Sequence, residues 1–345
     1  MLAKDTWFNE THTLQEALKP RPPISYAVDG LLMLPSLVIV YGAPGVLKSL
    51  LLADLAVCTA AGREWLPPLP HDRSGAVQPI RTTACPVLWL DFDNGVRRTA
   101  SRLAALAKGH SAESAPLFYL STPSVPFNAG SLTSSTEMAE YIRDLGAKVV
   151  FIDNLLAISG ARDENSPEVF AVMIGLRMIA ERTGAAIVVI HHSRKQNGIR
   201  GGLGDDLRGH SSIRGAVDLA LLVERENSAD VVMVKPTKSR DLPVEPFGAI
   251  FAYTHKPGST DLETAGFFGL KVGGGEETTA EVESLILDAL RSAKGPVTQS
   301  ELITLVKSKG VRVGVNRIRA IAARMANEMR LKTQVGSHGA IYYHV

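Results

Sequence analysis

The sequence lacks the features that would place the protein in a membrane or outside the cell. No apolar run approaches the roughly 18 residues that a membrane-spanning helix needs. The first ten residues, MLAKDTWFNE, contain no apolar segment of a secretory signal. The two cysteines, Cys58 and Cys85, lie in apolar stretches, which is typical of reduced thiols in a protein core. We therefore expect a cytoplasmic protein with no membrane partner.

The chain also has little net charge, but the charge is unevenly distributed. The formal net charge of the 345 residues is +2. Residues 279–345 contain ten Lys or Arg against five Asp or Glu, a net charge of +5, so the rest of the chain carries −3. A small basic module attached to a mildly acidic one indicates contact with an acidic polymer such as DNA.

The strongest chemical signal is Leu37 to Gly62, LVIVYGAPGVLKSLLLADLAVCTAAG. It predicts a buried strand, a glycine-rich turn and a helix over about Lys48 to Ala61. Such a turn surrounds phosphates with backbone N–H groups, and the helix N-terminus adds its dipole. Lys48 would reach the β- and γ-phosphates of ATP, and the Ser49 hydroxyl would bind Mg²⁺. The predicted nucleotide-binding residues are Gly42, Ala43, Pro44, Gly45, Val46, Leu47, Lys48, Ser49 and Leu50.

The loop departs from the usual pattern G-x-x-x-x-G-K-[ST] at one position. Leu47 stands where glycine normally precedes the lysine. Because leucine avoids positive φ, we expect a negative φ at Leu47 and a positive φ at Gly45. The alternative, that this glycine-rich turn binds no ligand, stays open.

Two strand ends supply candidate carboxylates. The run KVVFID ends in Asp153, which would hold Mg²⁺ through water; the alternative is an Asp that caps a turn. The strand Pro86 to Asp93 ends in Asp91-Phe92-Asp93. We expect Asp93 to lie past the strand end and to orient or deprotonate the attacking water, unless it belongs only to a solvated turn.

Histidines and cations extend this set. The strand Ala186 to Ile190 runs into His191-His192, and we interpret His192 as a polar sensor of the phosphate state, with a structural histidine as the alternative. No third ligand is spaced for a metal at this pair. Lys238 and Arg240 are either solvated or reach the γ-phosphate of a neighbouring subunit.

The order of elements predicts the fold class. Apolar strands alternate with helical stretches of 12–17 residues, which favours an α/β fold with a parallel core sheet flanked by helices. Residues 193–216 are Gly-rich and basic and predict a long mobile loop. The runs 217–223, 231–234 and 249–253 predict an antiparallel extension of the sheet.

The predicted domains are an extended N-terminal segment (1–36), an ATPase core (37–272), a Gly-rich linker (273–278) and a small module (279–345). Three helices and a hairpin in the module predict a winged helix-turn-helix. Its third helix, VNRIRAIAARMANE, presents the DNA-binding candidates Arg317, Arg319 and Arg324. A module used only for protein contacts remains the alternative.

The segments YGAPGVLKSLLLADLA, VLWLDFDNG, VVFIDN, VVIHHSRK and RGHSSIRGAVD together resemble the RecA-like ATPases of the RepA hexameric helicase type, found on plasmids, phages and other mobile elements. The resemblance covers Ser25 to Thr254. It implies a RecA-like core that assembles as a ring, usually a hexamer. ATP would bind between subunits and single-stranded DNA would pass through the centre.

The resemblance also assigns roles to residues. Lys48 and Ser49 match the Walker A pair, Asp153 matches the Walker B carboxylate, and Asp93 falls where the family has a catalytic Glu. His192 falls in the nucleotide-sensing motif, and Lys238 with Arg240 resembles the Lys-x-Arg finger. The loop 194–214 falls at the DNA-contacting loop, with the candidates Arg194, Lys195, Arg200 and Arg208. Asp93 is one methylene shorter than Glu, which would slow hydrolysis.

We therefore predict an ATP-hydrolysing, ring-forming DNA helicase or translocase that acts in replication of a mobile element and carries its own duplex-binding module. Two alternatives stay open. One is a regulator in which ATP only switches the oligomeric state. The other is a recombinase-like filament ATPase without unwinding activity.

Overall fold

The structure is a computed structural model that describes residues 3–21, 23–70, 77–160, 168–192, 211–225, 230–240, 243–270, 279–293, 295–308, 315–335 and 341–344. Contacts divide the chain into two compact units, Met1–Leu270 and Lys271–Val345. The predicted linker, 273–278, lies outside the described residues.

The first unit begins with short helices and a hairpin. Their bounds are α1 (Ala3–Glu10), α2 (Leu14–Ala17), β1 (Ser25–Val28) and β2 (Leu32–Leu34). The expectation of a wholly extended segment is therefore wrong. The physical reason for α2 is a capping box, in which the Thr13 hydroxyl accepts the Glu16 N–H while the Glu16 carboxylate accepts the Thr13 N–H.

A nine-stranded sheet forms the centre of this unit. Its strands are β3 (Ser36–Gly42), β4 (Val87–Asp91), β5 (Leu117–Ser121), β6 (Val149–Asp153), β7 (Ala186–His192), β8 (Leu219–Arg225), β9 (Val231–Ser239), β10 (Phe247–His255) and β11 (Leu262–Leu270). Their order across the sheet is β11-β10-β9-β8-β3-β7-β6-β4-β5. Strands β8, β3, β7, β6, β4 and β5 are parallel, and β9, β10 and β11 continue antiparallel.

Helices cover both faces of the sheet. They are α3 (Lys48–Ala61), α4 (Val96–Gly109), α5 (Leu132–Asp144), α6 (Glu168–Thr183) and α7 (Ser211–Ala216). Alternate residues of β3 point to the two faces. Val38 and Val40 join the core under α3 and α4, whereas Leu37, Ile39 and Tyr41 join the core under α5 and α6. The predicted α/β class, with a parallel core and an antiparallel extension, is confirmed.

Two details of the prediction are wrong. The run 217–223 lies mostly in β8, which pairs parallel to β3 and so belongs to the parallel part; the antiparallel extension includes β11, which was not predicted. Within the predicted loop 193–216, residues 211–216 form α7. This short helix forms because Ile213 is fully buried in the core under α6, which outweighs the low helix propensity of its glycine.

The described residues of the second unit form three helices and a small sheet. Their bounds are α8 (Thr279–Ser292), β12 (Val297–Thr298), α9 (Gln299–Ser308), α10 (Val315–Asn327), β13 (Lys332–Val335) and β14 (Ile341–His344). The sheet order is β12-β14-β13. One apolar face of α10, formed by Ile318, Ile321, Ala322 and Met325, is buried in a separate core.

Among the described residues, no helix combines the length and the apolar character that crossing a membrane requires.

Candidate active site

The loop between β3 and α3 lies at the carboxyl edge of the parallel strands. Gly42 ends β3 with φ 154°, and a Cβ there would lie 2.3 Å from the Val223 carbonyl oxygen of β8. Only glycine fits this close approach. Gly45 has φ 81°, which confirms the positive φ expected there.

The expectation of a negative φ at Leu47 is wrong. Leu47 has φ 65° and ψ 15° and immediately precedes α3. The residue before Lys48 therefore takes the left-handed conformation that glycine usually supplies, and leucine bears the steric cost of it. Its half-buried side chain packs against the core under α3, which helps to hold that conformation.

Lys48 is bound within the loop that it follows. Its Nζ donates to the Gly42 carbonyl oxygen at 2.8 Å and to the Ala43 carbonyl oxygen at 2.9 Å. Burial lowers the pKa of the ammonium group to about 8, opposed by the negative charge of Asp153. The lysine is thus placed where its charge can act on an anion in the loop.

Asp153 ends β6, next to the loop. The pairings Asp91↔Asp153, Asp153↔Ile190 and Gly42↔His192 bring the ends of four parallel strands to one edge. Asp153 is fully buried, and no donor among the described residues lies within hydrogen-bonding geometry of either carboxylate oxygen. Burial raises its pKa to about 6, although the nearby Ser49 hydroxyl opposes the rise.

Three side chains at the ends of different strands converge beside the loop. A ligand atom from each of Asp93, Asp153 and His192 lies within 4.8 Å of the other two. Asp93 is exposed and lies past the end of β4, as expected. The statement that no third ligand accompanies the histidine pair is wrong, because parallel strands bring together residues that are far apart in sequence. Burial, followed by the Lys48 charge, lowers the pKa of His192 and favours its neutral form.

This arrangement fits a divalent cation. Both carboxylate oxygens of Asp153 are buried without a partner in hydrogen-bonding geometry among the described residues, which is costly for a charged group, and the Ser49 hydroxyl oxygen lies beside them. Oxygen ligands are those that Mg²⁺ prefers. Ser49 and Asp153, the predicted metal residues, are the ones that would hold it.

Two arginines contact this site without having been predicted. Arg102 of α4 is half-buried; its Nη1 donates to Asn94 Oδ1 at 3.4 Å, and it is attracted by Asp91, Asp153 and Asp93. Arg225, at the end of β8, donates to the Gly45 carbonyl oxygen at 3.1 Å. The sequence offered only one indication of this role, namely that Arg225 follows the apolar residues of a strand.

Lys238 and Arg240 lie toward the amino ends of the parallel strands, on the side of the sheet opposite to its carboxyl edge. The pairing Leu219↔Ser239 places them beside the first residues of β8. Arg240 donates to Asp218 Oδ1 at 3.2 Å, and Asp218 Oδ2 accepts the Leu37 N–H at 2.8 Å. Lys238 donates to the carbonyl oxygens of Arg214 and Gly215. Along the strand direction Lys238 is level with Ile39 and Arg240 with Leu37, three and five residues before Gly42, so they lie roughly 10 Å and 16 Å from the chain's own phosphate loop.

The DNA-binding candidates are only partly described. Arg194, Lys195, Arg200 and Arg208 lie outside the described residues, as does the side chain of Arg317. Arg319 is exposed on α10. Arg324 is paired with Glu283 and, at 3.6 Å, with Glu328, so part of its charge is already neutralised within the unit.

A family model described as an AAA domain matches residues 7–198, more than half of the chain. The chain belongs to this AAA domain family. This AAA domain protein is an ATPase with an α/β fold. The match covers the phosphate loop, Asp93, Asp153 and His192.

Two solved structures are similar to this chain. One, described as an ATPase domain, matches 72% of this chain and 94% of that one, with 15% identity and a TM-score of 0.48. The other, a DnaB-like replicative helicase described with its interactions with primase, matches 76% of this chain and 67% of that one, with 14% identity and a TM-score of 0.48. No curated protein sequence matches the chain.

Proposed function

We propose that this ATPase is a ring-forming DNA helicase or translocase that acts in replication of a mobile element. The observation that carries the proposal is the separation of two sets of charged residues. Lys48, Asp153, Asp93 and His192 lie at the carboxyl edge of the sheet, while Lys238 and Arg240 lie at the other edge.

The carboxyl edge supplies the groups that hydrolysis needs. Residues Gly42 to Leu50 bind the phosphates of ATP, and Lys48 exchanges the loop carbonyls for phosphate oxygens. Ser49 and Asp153 would hold Mg²⁺, which would supply positive charge to neutralise the charge that develops on the phosphates. Asp93 orients the attacking water and accepts its proton. His192, in its neutral form, lies beside Asp93 and Asp153, where it contacts the bound phosphates.

The opposite edge completes the site of a neighbour. Lys238 donates to backbone carbonyl oxygens and Arg240 to Asp218 at the amino ends of the strands, so neither cation is directed at the chain's own phosphate loop. In a ring, Lys238 and Arg240 of one subunit would reach the nucleotide of the next. Their present partners, Asp218 and backbone carbonyls, keep them ordered at that edge. We propose a hexamer on this basis and on the family resemblance.

DNA contact is assigned to two surfaces. The basic loop that carries Arg194, Lys195, Arg200 and Arg208 would contact single-stranded DNA in the centre of the ring. The second unit, as a winged helix, would bind duplex DNA through Arg317, Arg319 and Arg324 of α10. The net charge of +5 over residues 279–345 supports this assignment.

The test measures ATP hydrolysis by the purified full chain with and without single-stranded DNA. We expect DNA to stimulate hydrolysis and Lys48→Ala to abolish it. Arg240→Ala should lower kcat without weakening nucleotide binding, and mixing it with Lys48→Ala should restore partial activity, because each variant supplies what the other lacks. No stimulation by DNA, or no loss with Lys48→Ala, would contradict the helicase proposal.

A further inference from the structure

The turn that carries Asp93 is held by a neighbouring carboxylate. Asp91, the last residue of β4, is 2% exposed. Its Oδ1 accepts the backbone N–H of Asp93 at 3.1 Å and the backbone N–H of Asn94 at 2.8 Å. A side-chain oxygen that accepts backbone amides two and three residues ahead fixes a tight turn. The backbone at Asp93 is therefore positioned by the side chain of Asp91.

The same carboxylate ties the turn to its surroundings. The Asn94 Nδ2 group reaches Oδ1 at 3.2 Å and Oδ2 at 3.3 Å, and the Thr99 hydroxyl of α4 donates to Oδ2 at 2.7 Å. From the other side, Ser121 at the end of β5 donates to the Asn94 carbonyl oxygen at 2.7 Å. The turn is thus bound to β4, α4 and β5 at once.

Asp91 is occupied by these hydrogen bonds and does not join the acidic cluster beside the loop. Both of its oxygens accept hydrogen bonds from the turn or from Thr99, whereas the cluster consists of Asp93, Asp153 and His192. Burying a charged carboxylate is costly, and here the donors of the turn and of Thr99 offset that cost. The negative charge of Asp91 also acts on Asp153 and Arg102, whereas its hydrogen bonds act on the backbone at Asp93.

We propose that Asp91 is the positioning residue for Asp93 and that it sets the reach of this short side chain toward Asp153 and His192. The inference rests on the proposed role of Asp93 in hydrolysis. An aspartate has one methylene fewer than glutamate, so the place of its carboxylate follows the backbone closely. A clamped turn compensates for the lost reach by holding the backbone in one place.

The experiment compares single and double variants of the full chain at saturating ATP. Asp91→Asn keeps the shape of the side chain but replaces one acceptor oxygen by a donor. We expect kcat to fall by roughly 10-fold or more, because small displacements of an activating group are costly, while the Kd for a fluorescent ADP analogue stays unchanged. In an Asp93→Asn background the same change should lower kcat no further, since the group being positioned is gone.

A matched control separates positioning from general stability. Asp54 of α3 is another fully buried carboxylate, which accepts Trp65 Nε1 at 3.0 Å and the Phe267 N–H at 3.2 Å. It lies outside the site, so Asp54→Asn should lower the unfolding midpoint but leave kcat unchanged. Thr99→Val removes one donor to Asp91 Oδ2 and should lower kcat less than Asp91→Asn does. If Asp91→Asn does not fold, the kcat of Thr99→Val tests the positioning role in its place.

The outcomes distinguish this inference from the function on which it rests. If Asp93→Asn lowers kcat but neither Asp91→Asn nor Thr99→Val does, the positioning role is wrong and the proposed function stands. The positioning role is also wrong if the effects of Asp91→Asn and Asp93→Asn multiply. If Asp93→Asn leaves kcat unchanged, both assignments are overturned.

Discussion

Leu47 occupies a backbone conformation that its side chain disfavours. A left-handed conformation costs an ordinary residue about 1–2 kcal/mol, and Leu47 has φ 65°. The preference of leucine for negative φ is real, but the packing of the half-buried side chain that opposes it cannot be weighed from the sequence. The shape of the phosphate loop was therefore harder to predict than its existence.

A pair of substitutions at Leu47 isolates the conformational cost. Both Leu47→Ala and Leu47→Gly remove the apolar side chain, but only glycine tolerates the positive φ. We expect the alanine variant to be less stable than the glycine variant by about 1 kcal/mol, measured as the free energy of unfolding in urea. The opposite order, which is normal within a helix, would contradict a left-handed residue at this position.

Asp153 makes the stability of the protein depend on pH. Its folded pKa of about 6 lies above its ordinary value of 3.8. The folded state therefore binds the proton more tightly, and stability falls as pH rises from about 4 to about 6. Asp153→Asn should be more stable than the wild type above pH 6 by roughly 2 kcal/mol, with the difference vanishing near pH 4.

Urea unfolding of both proteins across this range, without nucleotide or Mg²⁺, measures the difference. A difference that stays constant down to pH 4 would show that Asp153 does not titrate as assigned.

The residues of the candidate site that follow apolar strands could be predicted from the sequence. Lys48, Ser49, Asp93 and Asp153 all follow apolar runs, and parallel strands bring such ends to one edge. The sequence indicated Asp93 as the carboxylate past the strand end, but it did not show that Asp91 holds the turn, because spacing alone does not show which carboxylate accepts hydrogen bonds from the backbone. Arg225 was missed for a related reason, since its contact with Gly45 joins segments far apart in the chain.

At the scale of elements, the missed features have identifiable causes. The bounds of α3 were predicted correctly because its apolar residues are bounded by Lys48-Ser49 and by Gly62, whose φ of 64° ends the helix. β11, LETAGFFGL, was missed because Thr and two Gly residues interrupt its apolar pattern. Those glycines permit close packing: a Cβ at Gly269 would lie 2.7 Å from the Leu66 carbonyl oxygen.

Gly109 tests how tightly α4 packs on β11. A Cβ at Gly109 would lie 2.0 Å from the Ala265 carbonyl oxygen of β11, so Gly109→Ala forces the strand and the helix apart. We expect a loss of about 1–3 kcal/mol in the free energy of unfolding. Gly95→Ala, at the N-cap of the same helix, meets no atom within 4 Å, so it loses only the N-cap preference for glycine and should cost about 0.5–1 kcal/mol, less than Gly109→Ala. Equal losses would show that α4 does not pack on β11 in this way.

At the scale of the whole molecule, the two units predict separable activities. Each has its own apolar core, and all residues of the candidate active site lie in the unit Met1–Leu270. A variant that ends at Leu270 should retain ATP hydrolysis and its stimulation by single-stranded DNA. It should lose duplex binding, measured by fluorescence anisotropy over a series of salt concentrations. Undiminished duplex binding by this variant would show that residues 279–345 are not the duplex-binding module.

Asp218 makes β3 a mechanical connection between the two edges of the sheet. It accepts hydrogen bonds from Arg240, from Arg177 and from the N–H of Leu37, while the other end of β3 continues directly into the phosphate loop. A displacement of Arg240 would therefore act through Asp218 on the first residues of β3. If subunits assemble as we propose, a shift of Arg240 on a neighbour's nucleotide would reach the chain's own phosphate loop along this strand.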